Sequence, residues 1–192
     1  MSITKDKIIE AAIVILDKDG LDGLSMRAIA KALDVKAASL YYHVHNKTEL
    51  MGLIADYICK DVDVESSAES PKQKIIEFSN AFRASLSRVQ DATEIFHKSI
   101  PNTPNRVKLI QEILNSLKEM GVPEQNLLTA GNLLNNYILS FVADEHLSLV
   151  LNKNSNTPIE LPFAKKLRFT DDYDQQFVYG LEVILVGLEQ VN

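Results

Sequence analysis

Between Ser25 and Lys47 the chain gathers side chains suited to gripping a polyanion. Ser39, Tyr41, Tyr42 and His43 supply hydroxyls and an imidazole, and Arg27, Lys36 and Lys47 supply cations on either side. Cations and hydroxyls hold phosphate oxygens. Ala37, Ala38 and Ser39 are small enough to admit base edges, where an alanine methyl can touch a thymine methyl and a hydroxyl can bond either base type. Such groups would suit recognition of double-stranded DNA. Turnover would need a nucleophile with its base, paired carboxylates, a phosphate loop or a metal cluster, and the sequence offers none. His43 and His45 fall inside the contact stretch, and neither they nor His146 belong to a His-x-x-Glu-His or Gly-rich motif. The chain is read as a binding protein without catalysis, cofactor or metal.

Two short helices joined by a tight turn are expected to carry these groups. The first starts at Ser25, whose hydroxyl caps it, and runs to about Leu33. Ile29 and Leu33 share a face, and Ala30 is small enough for a steep helix crossing. Asp34-Val35 forms the turn, since Asp tolerates a left-handed backbone better than most residues. The second helix spans Lys36 to about Tyr42, with Leu40 inward. A bracing helix from about Lys5 to Lys18, apolar at Ile8, Ile9, Ala12, Ile13 and Leu16, ends at Gly20. Asn46, with Glu49 three positions on, has the spacing of a capping box, and Leu50, Leu53, Ile54, Tyr57 and Ile58 then repeat as one buried helical face.

The order Leu24-Ser25-Met26-Arg27, Ile29-Ala30, Leu33, Val35, Ser39-Leu40-Tyr41-Tyr42-His43-Val44 and Asn46-Lys47 resembles the signature of the tetracycline repressor family of bacterial regulators. The resemblance implies an all-α protein with an N-terminal three-helix DNA-binding domain, residues 1–48, and a larger effector-binding and dimerisation domain, residues 49–192. A helix at about 47–61 connects them. DNA contacts are expected at Arg27, Lys36, Ala37, Ala38, Ser39, Tyr41, Tyr42, His43 and Lys47.

Charge fits this division. The net −6 is uneven: residues 1–48 hold seven Lys/Arg against six Asp/Glu, and the rest holds thirteen against twenty. DNA affinity is therefore expected to come from a few placed cations and two bound copies more than from a broad basic field. The apolar runs are too short for a membrane span, and the N-terminus lacks a signal-peptide core, which points to the cytoplasm. Cys59, the single cysteine, has no internal disulfide partner and is read as packing.

Past an acidic, serine-rich connection at 61–69, Ser70-Pro71 opens a helix to about Arg88, and Asp91 is placed to cap a short one ending near Lys98. Thr103-Pro104 begins the next, ended by Gly121. Pro123 opens a long helix to about Asn152. A loop over 153–170, with one turn around Phe163 to Leu167, precedes a last helix from Asp172 to about Val191. Gly180 and Gly187 inside that helix each cost about 1 kcal/mol against Ala. The family resemblance implies the offset: pairing of the last two long helices with a second copy. The homodimer interface is placed on Phe177, Gly180, Leu181, Ile184 and Leu188, and two copies would set two recognition helices on successive major grooves.

The resemblance extends to Ala81-Phe82-Arg83, the His97 region and Phe177-Val178-Tyr179-Gly180-Leu181-Glu182. It implies a small-molecule pocket among the helices between 71 and 152, with Phe78, Phe82, His97 and Asn136 as contacts. His97 matches a family position that binds a drug-borne metal, and alone it makes no complete metal site. Phe78, Asn136, Asp63, Ile113 and Asp144 replace polar family contacts, so a pocket is expected and a tetracycline is not its expected ligand. The function implied is a repressor released from a palindromic operator by a small molecule. The alternative is a regulator of the same fold whose C-terminal domain docks a protein.

Overall fold

A computed structural model of the chain describes residues 3–62, 68–154 and 172–191. The described residues form nine α-helices and no strand: α1 Lys5–Gly23, α2 Met26–Ala32, α3 Ala37–Leu40, α4 Lys47–Lys60, α5 Pro71–Ser87, α6 Ala92–Lys98, α7 Pro104–Glu119, α8 Leu127–Asn154 and α9 Tyr173–Gln190. The expected turn around Phe163 to Leu167, and Asp63, lie outside the described residues.

Local capping explains most helix starts. Backbone amides three positions on donate to Ser25 Oγ (3.1 Å), Asn46 Oδ1 (2.8 Å), Ser70 Oγ (3.2 Å) and Asp172 Oδ1 (2.9 Å). Each such cap is worth about 1 kcal/mol. Three starts differ from expectation. Glu49 Oε2 accepts from the His45 amide at 2.7 Å, one residue before the Asn46 amide that a capping box uses. Asp91 precedes α6 but does not cap it with its side chain; its own backbone is left-handed (φ 58°), which turns the carboxylate away to accept from Leu21 N at 2.7 Å. Pro123 begins a 3-10 turn, Glu124–Asn126, and α8 starts only at Leu127.

Two compact units result. The first holds 1–67 and 77–113, the second 68–76 and 114–192. In the first, α1 packs on α2 and α4, α2 on α3, and α4 on α6, around the fully buried Ile8, Leu16, Ile29, Leu40, Leu50, Ile54 and Ile95. Gly20 breaks α1 with φ 65°, and a Cβ there would lie 3.0 Å from the Asp91 carboxylate.

In the second unit α8 packs on α9. Tyr137 stacks on Phe177 with ring centroids 5.5 Å apart, and Phe141 meets Phe177 edge-on at 5.1 Å. This packing covers part of the expected dimer surface within the chain itself. Phe177 and Leu181 are fully buried within their own chain, and Gly180 is small because Tyr137 crosses it. The Tyr137 hydroxyl passes over Gly180 to donate to the Phe177 carbonyl at 2.9 Å. Ile184 and Leu188 are half-buried, while the opposite stripe of Tyr179, Val183 and Val186 is exposed. Gly187 has open space where its Cβ would stand.

The two helical glycines should thus respond differently. Gly180→Ala drives a methyl into the Tyr137 ring and should destabilise by about 1–3 kcal/mol in urea unfolding, the outcome of an intrachain constraint. Leu181→Glu should fail to fold before dimerisation can be assayed.

Candidate nucleic-acid interface

The exposed end of the first unit is built on α2, the turn and α3. The last turn of α2 closes in a Schellman pattern: Val35 N donates to Ala30 O at 3.0 Å and Asp34 N to Lys31 O at 3.3 Å. Asp34 takes the left-handed position with φ 51° that glycine usually fills. That residue turns the chain out of α2 toward α3.

The recognition helix is shorter than the Lys36 to Tyr42 expected. Regular helix covers only Ala37–Leu40, and one further turn is held by His43 N and Val44 N, both donating to Leu40 O at 2.9 Å. Leu40 and Val44 are fully buried and pin this turn to the core. The pinning leaves the intervening side chains outward. Tyr42 is 87% exposed and Tyr41 49%. Arg27, Lys36, Ala38 and Lys47 are exposed, and Ala37, Ser39 and His43 half-buried at the same end. The nine expected contact residues sit on α2, at the N-cap of α3, on α3, in the turn after it and at the first residue of α4. Two fully buried aliphatics with an 87%-exposed tyrosine between them describe a surface built to meet another molecule. Exposed phenol, hydroxyl, methyl and cationic groups can bind phosphates and base edges, and they contain no activated nucleophile.

The expected effector residues divide between the units. Phe78 and Phe82 in α5 lie with centroids 6.2 Å apart, and Phe82 meets Phe96 of α6 edge-on at 5.3 Å. His97 follows Phe96 on α6 and is exposed, its Nδ1 donating to Thr93 O at 2.7 Å. Asn136 belongs to the second unit. It falls on the exposed stripe of α8 with Leu133, Ser140 and Leu147, opposite the buried Leu134, Ile138 and Val142. Among the described residues no three His, Cys, Asp or Glu side chains converge as a metal site, and no helix is long and apolar enough to cross a membrane.

Sequence reasoning missed a polar cluster where α4, α6 and α7 meet. The Asp56 carboxylate accepts from Asn105 N at 2.8 Å and Arg106 N at 3.2 Å, and the Arg106 guanidinium donates to Ser99 Oγ at 2.6 Å and Phe96 O at 3.2 Å. No short motif marks it, because its partners lie far apart in the chain. Cys59, nearby on α4, is buried, and burial raises its thiol pKa to about 12 against a pull downward from Arg106. The thiolate is the reactive form, which makes Cys59 inert in the folded chain, as its reading as packing requires.

Residues 8–54 match the family model for bacterial regulatory proteins of the tetR family, and residues 69–192 that for the tetracyclin repressor-like C-terminal domain. The chain is 26% identical to the class D tetracycline repressor protein of Escherichia coli over 97% of its length and 89% of that protein's. The TetR family protein ActR of Streptomyces coelicolor, solved with (S)-DNPA, superposes with a TM-score of 0.83 at 27% identity over the whole of both chains. BioQ bound to its double-stranded DNA operator gives 0.79 at 25%, covering 98% of this chain and 99% of that one.

Two outcomes follow from this geometry. Because Tyr42 and Lys47 are exposed, Tyr42→Ala with Lys47→Ala should leave the melting temperature unchanged, weaken DNA binding and lower the slope of log affinity against log salt by about one; an unchanged slope would remove Lys47 from the phosphate contacts. For Cys59, the unfolded thiol ionises near its ordinary value of 9.0 and the folded one near 12. Stability contributed by the protonated thiol is full below pH 9 and declines as pH rises toward 12. Disulfide-exchange labelling at pH 8 should proceed only as fast as the protein opens.

Proposed function

The chain belongs to the tetR family of bacterial regulatory proteins and is a DNA-binding transcriptional repressor; from that premise we propose that it is a cytoplasmic homodimer released from a palindromic operator by a small, largely apolar molecule. Residues 1–48 read the DNA, residues 49–192 take the effector and dimerise, and α4 is shared between these tasks. The observation that carries the reading is the recognition turn, with Leu40 and Val44 fully buried beneath an outward Tyr42. Arg27, Lys36, Tyr42 and Lys47 hold phosphates, and Ala37, Ala38 and Ser39 approach bases. Tyr41 and His43 flank them.

Dimerisation is assigned to the exposed stripes of α8 and α9. Leu133 and Leu147 on α8, with Tyr179, Val183 and Val186 on α9, are between 45% and 69% exposed in the single chain. Apolar side chains spaced along one helix face mark a partner surface, and Gly187 beside them lets a second backbone approach. Asn136 and Ser140 lie on this same stripe, so Asn136 serves the partner interface better than the effector. Effector contact is assigned to Phe78, Phe82 and His97, where a flat apolar ligand meets rings and one imidazole. ActR takes (S)-DNPA and actinorhodin, and the same class of partner is carried over here.

Duplexes selected from a random library should contain two half-sites with centres about 34–36 Å or a multiple apart. Val186→Glu should yield a folded monomer by light scattering, since that side chain is exposed in the single chain. A wild type that stays monomeric at high micromolar concentration would defeat the dimer. A ligand found by thermal-shift screening should weaken operator binding by about 5–150-fold. Tight binding without any change in operator affinity would exclude release by this route, because equal affinity for two states shifts nothing.

A further inference from the structure

We propose that the recognition helix tells bases apart by methyl contact, with Ala37 and Ala38 each meeting the 5-methyl group of a thymine in the operator half-site. The proposal rests on the reading that residues 37–39 approach bases, and it names the pyrimidine they select. Direct readout in the major groove follows a short chemical code: Arg or Lys pairs with guanine, Asn or Gln with adenine, a carboxylate with cytosine, and an apolar group with the methyl of thymine. Between Val35 and His45 the chain has no Asn, Gln, Asp or Glu. Neither adenine nor cytosine meets its usual side-chain partner there. Asn46, just beyond, caps α4 with its side-chain oxygen at 2.8 Å from Glu49 N, and the cations Arg27 and Lys36 are assigned to phosphates.

What α3 itself can present is two methyls and one hydroxyl. Regular helix covers Ala37–Leu40, and Leu40 is fully buried. Ala38 is exposed, and Ala37 and Ser39 are half-buried; Tyr41, Tyr42 and His43 come after the helix, in the turn. A hydroxyl both donates and accepts, so Ser39 bonds either kind of base without telling them apart. The methyls alone carry a preference. Their shortness matters as well: an alanine side chain ends at Cβ, so contact with a base requires the helix backbone to come close to the groove floor, and three small residues in succession permit it. A Gln or Arg at either position would hold the backbone farther off. The turn that follows adds no reach of its own, because His43 N and Val44 N both donate to Leu40 O at 2.9 Å and Val44 is fully buried. Two methyls meeting in the groove remove apolar surface from water on both sides, and unmodified cytosine has only a hydrogen at that position.

The test uses a duplex selected from a random library by the wild type. Deoxyuridine replaces each thymine of the two half-sites in symmetric pairs, which deletes the 5-methyl and keeps every base-pair hydrogen bond. One or two positions per half-site should lose affinity by about fifteenfold, about fourfold for each buried methyl in two half-sites, and the others should stay within roughly twofold. A cytosine–guanine pair at a sensitive position should bind weakly, and 5-methylcytosine there should recover about fourfold per half-site. Ala37→Gly and Ala38→Gly should each bring the uracil penalty at one position within about twofold, since no partner methyl remains; a penalty due only to DNA stiffness would persist. The uracil scan needs wild-type protein alone, so it decides the matter even where a glycine in so short a helix prevents folding. The proposal is overturned if the selected half-sites lack thymine, if no thymine position responds, or if the penalty survives in both glycine variants. Sensitivity to base-pair exchange without sensitivity to uracil would sink the methyl contact and keep α3 as the reader of bases. Reselection with Ala38→Gln should change the preferred base at one position per half-site, and an unchanged preference would remove α3 from the bases altogether.

Discussion

A recognition helix of four residues cannot hold itself together. A single turn fixes several dihedral angles for very few hydrogen bonds, and isolated helices below about 12 residues are marginal in water. Everything that aims Ala37, Ala38, Ser39 and Tyr42 therefore depends on burying Leu40 and Val44 beneath them. Those two side chains need a floor, and α1, α2 and α4 make it with Ile8, Leu16, Ile29, Leu50 and Ile54. The surface that meets DNA is the back of a small core. A substitution in that core misdirects the contacts without touching one of them.

Polar bonds do a different job in this chain from the apolar core. Caps at Ser25, Asn46, Ser70 and Asp172 decide where helices begin. Bonds between distant residues tie one helix to another. Asp91 with Leu21, Asp56 with Asn105, and Tyr137 with Phe177 each join separate elements. Each uses a donor or acceptor left over at a helix end or kink, or a carbonyl with a spare lone pair. Such a bond leaves the helix ladder intact.

Local signals were therefore legible in the sequence and distant ones were not. Ser25, Asn46, Ser70 and Asp172 act within three residues, and Asp34 follows from its own backbone preference, so type and spacing suffice to place them. The nine residues expected to contact DNA come from a local motif, and they are near neighbours in the chain. Asp91 misled because its carboxylate finds Leu21, seventy residues away. Arg106 and Asp56 carry no motif for the same reason. On α9 the difficulty was of another kind: Phe177, Leu181 and Leu185 form one apolar stripe and Tyr179, Val183 and Val186 a second. Periodicity groups such residues without saying which group faces the chain's own core. Gly180 was read as a gap for a partner because nothing in the sequence reveals that Tyr137 crosses it.

The near-neutral head sets how this protein finds its site in a genome. Arg27, Lys36 and Lys47 are exposed at the reading end, Asp34 is exposed in the turn before α3, and Asp6, Glu10, Asp17, Asp19 and Asp22 are exposed on α1. Non-specific attraction to duplex comes almost wholly from phosphate neutralisation, and sliding along the contour depends on it. A head with so small a surplus should bind random sequence weakly, which would leave more of the pool free to occupy the operator.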